Sequence, residues 1–435
     1  MKVCVIGTGY VGLVAGACLA QMGNSVICVD KDADKIEKLK NGIIPIYEPL
    51  LDDLVAFNSS KGRLFFSCDL KDAVKKSQIC FIAVGTPEDK NGCADLSSVY
   101  ETAREIAGCL DNYKIIVNKS TVPVGTGYKI RDLIKSVTDV DFDIVSNPEF
   151  LKQGAAVEDF LKPDRVVIGS DSPRATKIMQ ELYAPHTLNG NPVMIMDIKS
   201  AEMAKYAANS FLALKISYIN EIANICEKTG ADALMVKNAV CADRRIGSKF
   251  FYAGIGFGGS CFPKDLKALI NTANDSGIDP VVLKAAYDTN LRQRKVFTDK
   301  ILKRFNNNLK GKTFGVWGLS FKPQTSDMRE APSITIINTL LDCGAKIKAF
   351  DPKAFDEAKK IFKDSIEYSK TSYEALLDAD ALLLLTEWHE FRMPDFAKMK
   401  ENLKAPVIFD GRNQYDPEIL KEYGFEYHCI GRKTL

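Results

Sequence analysis

The stretch Gly256-Phe257-Gly258-Gly259-Ser260-Cys261-Phe262-Pro263-Lys264-Asp265 combines what is needed to build an activated thiol. Pro263 suits the first turn of a helix, where its missing N–H costs nothing. Ser260 and Cys261 then fall at the cap, where the positive end of a helix lowers a thiol pKa. Lys264 adds a positive charge and Asp265 a possible proton acceptor, while Gly258 and Gly259 leave the backbone open to a ligand. A glycine-rich turn with an incidental cysteine is the competing reading. The coincidence of thiol, cap and charges favours a nucleophile.

A second constellation opens the chain. Gly7-Thr8-Gly9-Tyr10-Val11-Gly12 follows the apolar run Lys2–Ile6 and precedes a helical stretch. Such a turn is weak evidence alone, but Asp30 ends the next apolar run, about 20 residues on, where a carboxylate binds a ribose 2′-OH. Pyrophosphate would rest on N–H groups at the helix start. The acid disfavours a 2′-phosphate, so NAD is expected rather than NADP. Val84-Gly85-Thr86-Pro87 and the loop from Lys119 through Ser120, Thr121 and Gly125 to Thr126 follow further strand candidates. Each alone could be an ordinary β–α turn, but their recurrence at strand ends favours cofactor contact.

Glu149, in Asn147-Pro148-Glu149-Phe150, is either a solvated turn carboxylate or an acid/base group at the ligand edge of the sheet. Lys205 and Asn209 lie one helical turn apart, hence on one face. The lysine is either a snorkelling surface residue or, with Asn209, a group that stabilises an alkoxide or oxyanion. His186, His389 and His428 share no motif and are assigned no catalysis. A thiol beside a nicotinamide site can add to an aldehyde and leave a transferable hydride, which permits alcohol-to-aldehyde-to-thioester oxidation followed by hydrolysis.

These residues need a scaffold of alternating strands and helices. Strands are expected at Lys2–Ile6, Ser25–Val29, Ile79–Val84, Lys114–Asn118, Asp143–Ser146 and Arg165–Ile168, with helices such as Val11–Met22 and Ala33–Lys40 between them, a parallel α/β pattern. From Ser200, a candidate N-cap, to Lys228 there is no Gly or Pro, giving a helix of roughly 40 Å. Apolar residues on several of its sides suggest a buried strut and a homo-oligomer. Further helices are expected at Lys267–Ser276 and Pro280–Phe305. Beyond Asn306-Asn307-Asn308 and Gly311, a second α/β pattern begins at Thr313–Gly318. It continues through a helix at Ser333–Asp342 and strands at Lys346–Phe350, Ala381–Leu385 and Val407–Phe409, and Asp351 echoes Asp30. The expected fold is α/β, two Rossmann-like doubly wound domains joined by a long central helix. The expected boundaries are 1–197, 198–305 and 306–435.

Composition narrows the class. With 435 residues, 46% hydrophobic, and a net charge of +2, the chain offers no electrostatic case for nucleic acid or an anionic membrane. Lys2 precedes an apolar run that resembles a leader, but its glycines fit strand, turn and helix better, and no run is long enough to span a membrane. Twelve cysteines without a C-x-x-C pair argue against zinc and against a disulfide framework. A cytoplasmic protein without a metal site is expected.

Taken together, these motifs make the chain resemble the UDP-glucose 6-dehydrogenases of the nucleotide-sugar dehydrogenase family. The resemblance runs nearly end to end, through GTGYVG, VGTP, STVPVGT, NPEFL, the Lys205/Asn209 helix, GFGGSCFPKD, GLSFKPQTSDMREAPS and DGRNQYDP. It implies NAD-dependent, four-electron oxidation of UDP-glucose at C6 to UDP-glucuronate, with Cys261 forming a thiohemiacetal and a thioester. Glu149 and Asp265 would assist proton movement and hydrolysis, and Lys205 and Asn209 would hold charge and water. Thr121 would stand beside cofactor and catalytic water. Cofactor contacts are implied for Lys35, Ser120, Lys264 and Arg329, beside the opening turn and Val84 to Pro87. The nucleotide sugar is assigned to Glu149, Phe150, Leu151, Lys152, Lys205, Asn209, Phe250, Tyr252, Gly258, Phe321, Lys322 and Arg412. Arg245 resembles an arginine that reaches a neighbouring subunit's substrate. Many relatives carry a second glutamate four residues after the first. Here Gln153 can bond cofactor or water but cannot be a general base.

Three alternatives remain at this level. GDP-mannose or UDP-N-acetylmannosamine could be oxidised by the same chemistry. A one-step enzyme similar to 6-phosphogluconate or hydroxyacyl dehydrogenases would not need the thiol, and an NAD-sensing binding protein would leave the thiol loop unexplained. The base that takes the first proton stays open among Lys205, Asp265 and water.

Overall fold

The computed structural model describes residues 1–90, 92–187, 190 and 192–434. Two compact units emerge: Met1–Ala208 with Lys267–Ser276, and Asn209–Leu266 with Gly277–Leu435.

The first unit is built on eight strands: β1 (Lys2–Ile6), β2 (Ser25–Val29), β3 (Leu64–Ser67), β4 (Ile79–Ile82), β5 (Lys114–Asn118), β6 (Phe142–Ser146), β7 (Val166–Gly169) and β8 (Val193–Met196). Their order is β3-β2-β1-β4-β5-β6-β7-β8. The first six follow the doubly wound order, with the switch point between β1 and β4. The expected parallel pattern holds across the sheet except at one place, where β7 pairs antiparallel with β6. Central strands are buried on both faces, as parallel sheets require. Val3 and Val5 join one core with Leu13, Val26 and Phe81, whereas Cys4 and Ile6 join the other with Ile82, Val99 and Ile116.

The second unit carries six strands: β9 (Thr313–Trp317), β10 (Lys346–Phe350), β11 (Glu367–Tyr368), β12 (Ala381–Leu384), β13 (Val407–Asp410) and β14 (Glu426–His428). All its pairings are parallel, in the order β11-β10-β9-β12-β13-β14. This repeats the arrangement of the first six strands.

The repeat extends to atoms. Gly7 (φ +98°) donates its N–H to Val29 O, and Gly318 (φ +89°) donates to Phe350 O, both at 2.8 Å. The next N–H bonds the acid that ends the neighbouring strand, Thr8 to Asp30 at 2.9 Å and Leu319 to Asp351 at 2.7 Å. Only glycine adopts that φ without strain. After Gly7 a helix starts at Tyr10, but after Gly318 none starts until Pro332.

The long helix is Ile198–Thr229, 32 residues or about 48 Å. It begins before Ser200. The Asp197 carboxylate accepts the Ser200 N–H at 2.9 Å and its hydroxyl at 2.5 Å, so Asp197 rather than Ser200 caps it. Among the described residues no helix is long and apolar enough to cross a membrane.

Gly12→Ala would place a Cβ 1.9 Å from Gly7 O, whereas Gly9→Ala would meet nothing within 4 Å. The first substitution is expected to cost about 1–3 kcal/mol and the second to leave stability unchanged. Urea denaturation followed by circular dichroism checks this, and equal midpoints would contradict it.

Candidate functional site

In the first unit the functional groups gather at the carboxyl ends of β1, β2, β4, β5 and β6. Asp30 accepts from the Thr8 N–H and hydroxyl, the latter at 2.7 Å, and from Lys35 Nζ at 3.0 Å. Burial opposes its charge, but these bonds outweigh it and hold the carboxyl at about 2. The helix Tyr10–Gln21 starts at Gly9 without a side-chain cap. Uncapped N–H groups beside an ionised strand-end acid fit the pyrophosphate and ribose of a dinucleotide. Tyr10 turns its hydroxyl to Glu48, and Val11 and Gly12 continue the helix.

The next two loops are stitched together. Ser120 Oγ donates to Val84 O at 2.7 Å, and Thr86 Oγ donates to Thr121 O at 3.0 Å. Gly85 lies between them with nothing near its Cβ position, and Pro87 O accepts the Asp95 N–H at 2.8 Å.

Glu149 is buried, and Lys205 Nζ lies 3.0 Å from its Oε1. Oε2 accepts the Leu151 N–H at 2.5 Å. Burial alone would raise this carboxyl, but Lys205, the Leu151 N–H and Lys119 hold it below the usual glutamate range. The solvated-turn and snorkelling readings of these two residues are therefore set aside. The Phe150 ring lies under Arg165, 3.6 Å from its guanidinium carbon, and Lys152 pairs with Asp159 at 2.9 Å. Gln153 follows at the end of the same loop.

In the second unit Cys261 is exposed at the head of the helix Phe262–Asp275. Its carbonyl accepts the Asp265 N–H at 2.8 Å, which is the N-cap position, and Pro263 lies in the first turn. Ser260 Oγ is 3.7 Å from Sγ. Lys264 pairs with the buried Asp265 at 2.9 Å, and Asn209 Nδ2 donates to Asp265 at 2.7 Å. Lys205 and Asn209 thus take different carboxylates from successive turns of one helix. Arg329 chelates Asp327 with bonds of 2.9 and 2.6 Å, which raise its pKa, and the Cys261 sulfur adds to that effect. A guanidinium within electrostatic reach favours a thiolate.

The thiol loop is clasped from below. Asn290 accepts the Phe257 N–H at 2.7 Å and donates to Phe257 O at 3.0 Å. Gly259 N–H reaches Arg329 O at 2.8 Å, and the Phe321 ring fills the place of a Gly259 side chain. Gly258 similarly lets Glu330 O approach. Arg412 spends its guanidinium on Leu385 O at 2.8 Å, Phe321 O at 3.2 Å and Gly256 O at 3.5 Å. It braces the loop, and Lys322 Nζ lies 5.5 Å over the Phe321 ring. Phe250 holds a positive φ of 63° with its ring 5.9 Å from Phe262, and Tyr252 is exposed under Lys237. Arg245 is exposed and paired with Asp243 at 2.6 Å.

Three consecutive models of the UDP-glucose/GDP-mannose dehydrogenase family match this chain: its NAD binding domain at residues 1–187, its central domain at 199–292 and its UDP binding domain at 315–417. The chain belongs to that family. It is 49% identical to UDP-glucose 6-dehydrogenase TuaD of Bacillus subtilis (strain 168), covering 100% of this chain and 94% of that protein. Identity to the UDP-glucose 6-dehydrogenase of Rhizobium meliloti (strain 1021) is 46%, over 99% and 100% of the two chains. The solved structure of a UDP-glucose dehydrogenase from Pyrobaculum islandicum superposes with a TM-score of 0.93 at 35% identity, covering 99% and 98%. The chain is thus an NAD-dependent dehydrogenase of this family.

Two residues at the site of the first unit carry no individual role in the sequence reading. Lys119 is buried, with Nζ 3.0 Å from Asn147 Oδ1, and Tyr183 donates to the same oxygen at 2.6 Å. Burial pulls the Lys119 ammonium down to about 8, against the pull of Glu149. A lysine and an asparagine at the end of the buried run Lys114–Asn118 were the available signal. Glu202 is the other. From the long helix it accepts the Gly125 and Gly127 N–H groups at 2.5 and 2.7 Å, so it caps the helix Thr126–Lys135. The Thr121 loop is thereby tied to the helix that carries Lys205.

Burial pushes the Glu202 carboxyl up to about 7 despite these N–H groups, with Lys199 opposing and Tyr100 nearby. A raised folded-state pKa means that its contribution is fully present below about 4.5 and lost as pH rises through about 7. The stability of the parent relative to Glu202→Gln should therefore fall from pH 5 to pH 8. Urea midpoints for both proteins across that range check this, and a flat difference would refute it.

Proposed function

We propose that this chain is a UDP-glucose 6-dehydrogenase that oxidises C6 of its substrate twice and releases UDP-glucuronate. The observation that carries the reading is the exposed Cys261 thiol at a helix head, in a chain with an NAD-binding domain. In the first step the C6 alcohol loses a hydride and a proton and becomes an aldehyde. The Cys261 thiolate adds to that carbon, the resulting oxyanion takes up a proton to give a thiohemiacetal, and this loses a second hydride and a proton to become a thioester. Water then attacks the thioester carbon, and carboxylate and thiol are released. NAD, when bound, supplies the hydride acceptor, once for each oxidation.

The roles of individual residues follow from the chemistry each can supply. Lys205 offers an ammonium for charge that develops on oxygen. Its partner Glu149, ionised at neutral pH, suits proton movement and the activation of water, as does Asp265. Asn209 orients Asp265, and Thr121 is assigned to water beside the nicotinamide. Gly7 to Gly12, Asp30, Lys35, Val84 to Pro87, Ser120, Gln153, Lys264 and Arg329 are assigned to the cofactor. Phe150 to Lys152, Phe250, Tyr252, Gly258, Phe321, Lys322 and Arg412 are assigned to the sugar nucleotide, with Arg245 reaching a neighbouring copy's substrate. The division at 197 and 305 assigns NAD, the thiol and UDP to successive segments. Twelve cysteines, none of them in a disulfide among the described residues, support a reducing cytoplasm.

Supplied with NAD and UDP-glucose, the purified protein should form two NADH per sugar. Cys261→Ser should lower turnover about a thousandfold or more. Absorbance at the NADH band reads both. A preference for GDP-mannose or UDP-N-acetylmannosamine would replace the substrate, and a Cys261→Ser variant with parental turnover would remove the thiol mechanism.

A homodimer or larger assembly belongs to this reading. Phe211, Tyr218 and Ile225, seven residues apart on the long helix, are 61%, 54% and 52% exposed. An apolar stripe of that spacing is the kind of surface a second copy covers. Phe211→Asp with Ile225→Asp should shift sedimentation towards the monomer. An unchanged sedimentation coefficient would place the interface elsewhere.

A further inference from the structure

The polar groups around Glu48 link two parts of the first unit that the chemistry treats separately. Glu48 is 3% exposed, and its carboxylate has three donors. Oε2 accepts the Gly154 N–H and Oε1 the Ala156 N–H, each at 2.7 Å. Tyr10, the first residue of the glycine-turn helix, donates its hydroxyl to Oε2 and receives the Gly154 N–H at 3.2 Å. Burial and the Glu48 charge raise the Tyr10 phenol, so it stays a donor at any ordinary pH.

Gly154 closes the loop that begins with Asn147 and carries Glu149. At its front end this loop is fixed by Asn147, whose N–H reaches Asn118 O at 2.9 Å and whose Nδ2 reaches Val167 O at 2.8 Å. At its rear end the Glu48 carboxylate binds both the Gly154 and Ala156 N–H groups. One carboxylate thus holds the start of the pyrophosphate-binding helix and the end of the Glu149 loop.

We propose that Glu48 is a positioning residue that couples occupancy of the dinucleotide turn to the setting of the Glu149 carboxylate. Pyrophosphate on the N–H groups around Gly9 fixes the first turn of the helix, and Tyr10 passes that constraint to Glu48. Glu48 then holds Gly154 and Ala156, so the loop presents Glu149 to Lys205 in one geometry. The proposal rests on the role assigned above to Glu149.

The test combines exchange and kinetics. Amide hydrogen exchange of the peptide covering 149–156, with and without NAD, should show slower exchange when the cofactor is bound. Tyr10→Phe, which keeps the ring and the carboxylate, should lose most of that protection. Protection that persists in Tyr10→Phe, or its absence in the parent, would overturn the coupling. Glu48→Gln should lower kcat about tenfold, with the KM for UDP-glucose within about twofold. In a Glu149→Gln background the same change should cost less than about twofold, because both substitutions then act through one group. A full tenfold loss in both backgrounds would show that Glu48 acts elsewhere. If Glu48→Gln does not fold, Tyr10→Phe replaces it in the cycle, with a loss of about threefold expected. Parental turnover in Glu149→Gln would instead refute the functional role of Glu149, while the exchange experiment would still report the tie itself.

Discussion

A carboxylate almost cut off from water can stay ionised only if its surroundings replace the water, and much of the first unit is arranged to do this for Glu149. Its attraction to Lys205 at 3.0 Å is on the order of 5 kcal/mol at the effective dielectric that reproduces such pairs. That is the scale of the desolvation it must offset. The ion pair therefore survives because of its geometry, which needs the Leu151 N–H on the second oxygen and Lys119 as a second cation. Each comes from a different strand end or helix. The register that sets Asn118 against Ser146 brings the Lys119 and Asn147 loops side by side. Removing either member of a buried pair costs a fold about 3–5 kcal/mol, so the residues proposed for chemistry also hold the fold of the first unit together.

The same backbone turn was put to two uses in one chain. Gly7 and Gly318 make matching bonds to the next strand, and an aspartate ends that strand each time. The difference is what remains of the aspartate. Asp30 keeps partial access and a helix starts beside it, so a ribose hydroxyl and a pyrophosphate have somewhere to bind. Asp351 is fully buried. It accepts from Ser320, Lys353, Ala354 and Trp388 as well as Leu319. An acceptor so filled has no lone pair for a ligand, and the helix start has moved to Pro332. The segment thereby released carries Phe321, Lys322 and Arg329 past the carboxyl edge of β9. The turn that opens a helix in the first unit anchors a loop in the second.

Much of this could be read from residue order, because periodicity and glycine placement are local signals. The runs Lys2–Ile6, Ser25–Val29 and Lys346–Phe350 are strands over the expected residues, and Cys261 caps the helix that Pro263 announced. What stayed hidden depends on contacts distant in sequence. Leu64–Ser67 and Glu426–His428 are too short and mixed to declare themselves, and their strand character comes from pairing with β2 and β13. The Asp197 cap was missed because its partner residue, Ser200, is itself a good cap former. Lys119, Glu48 and Glu202 look like ordinary charged residues. Only tertiary structure shows that each is buried with several partners, 28 to 108 residues away in the chain.

These hidden residues share one task, which explains why polar groups are tolerated inside the fold. Of the groups assigned to chemistry, Glu149, Thr121 and Cys261 stand on loops or loop ends, and loops are mobile unless their ends are tied. Asn147 and Glu48 tie the two ends of the Glu149 loop, Glu202 ties the Thr121 loop, and Asn290, Arg412 and Arg329 tie the thiol loop. Each tie satisfies backbone N–H or carbonyl groups that would otherwise be buried unpaired, so its desolvation cost is offset where it arises. A hydrophobic residue in any of these places could fill the volume but would leave the backbone groups unbonded. Preorganised loops of this kind reduce the reorganisation that must accompany charge development on a substrate. Phe250, just ahead of the thiol segment, holds a positive φ that is unfavourable for a residue with a Cβ, and such a conformation persists only where the surrounding structure imposes it.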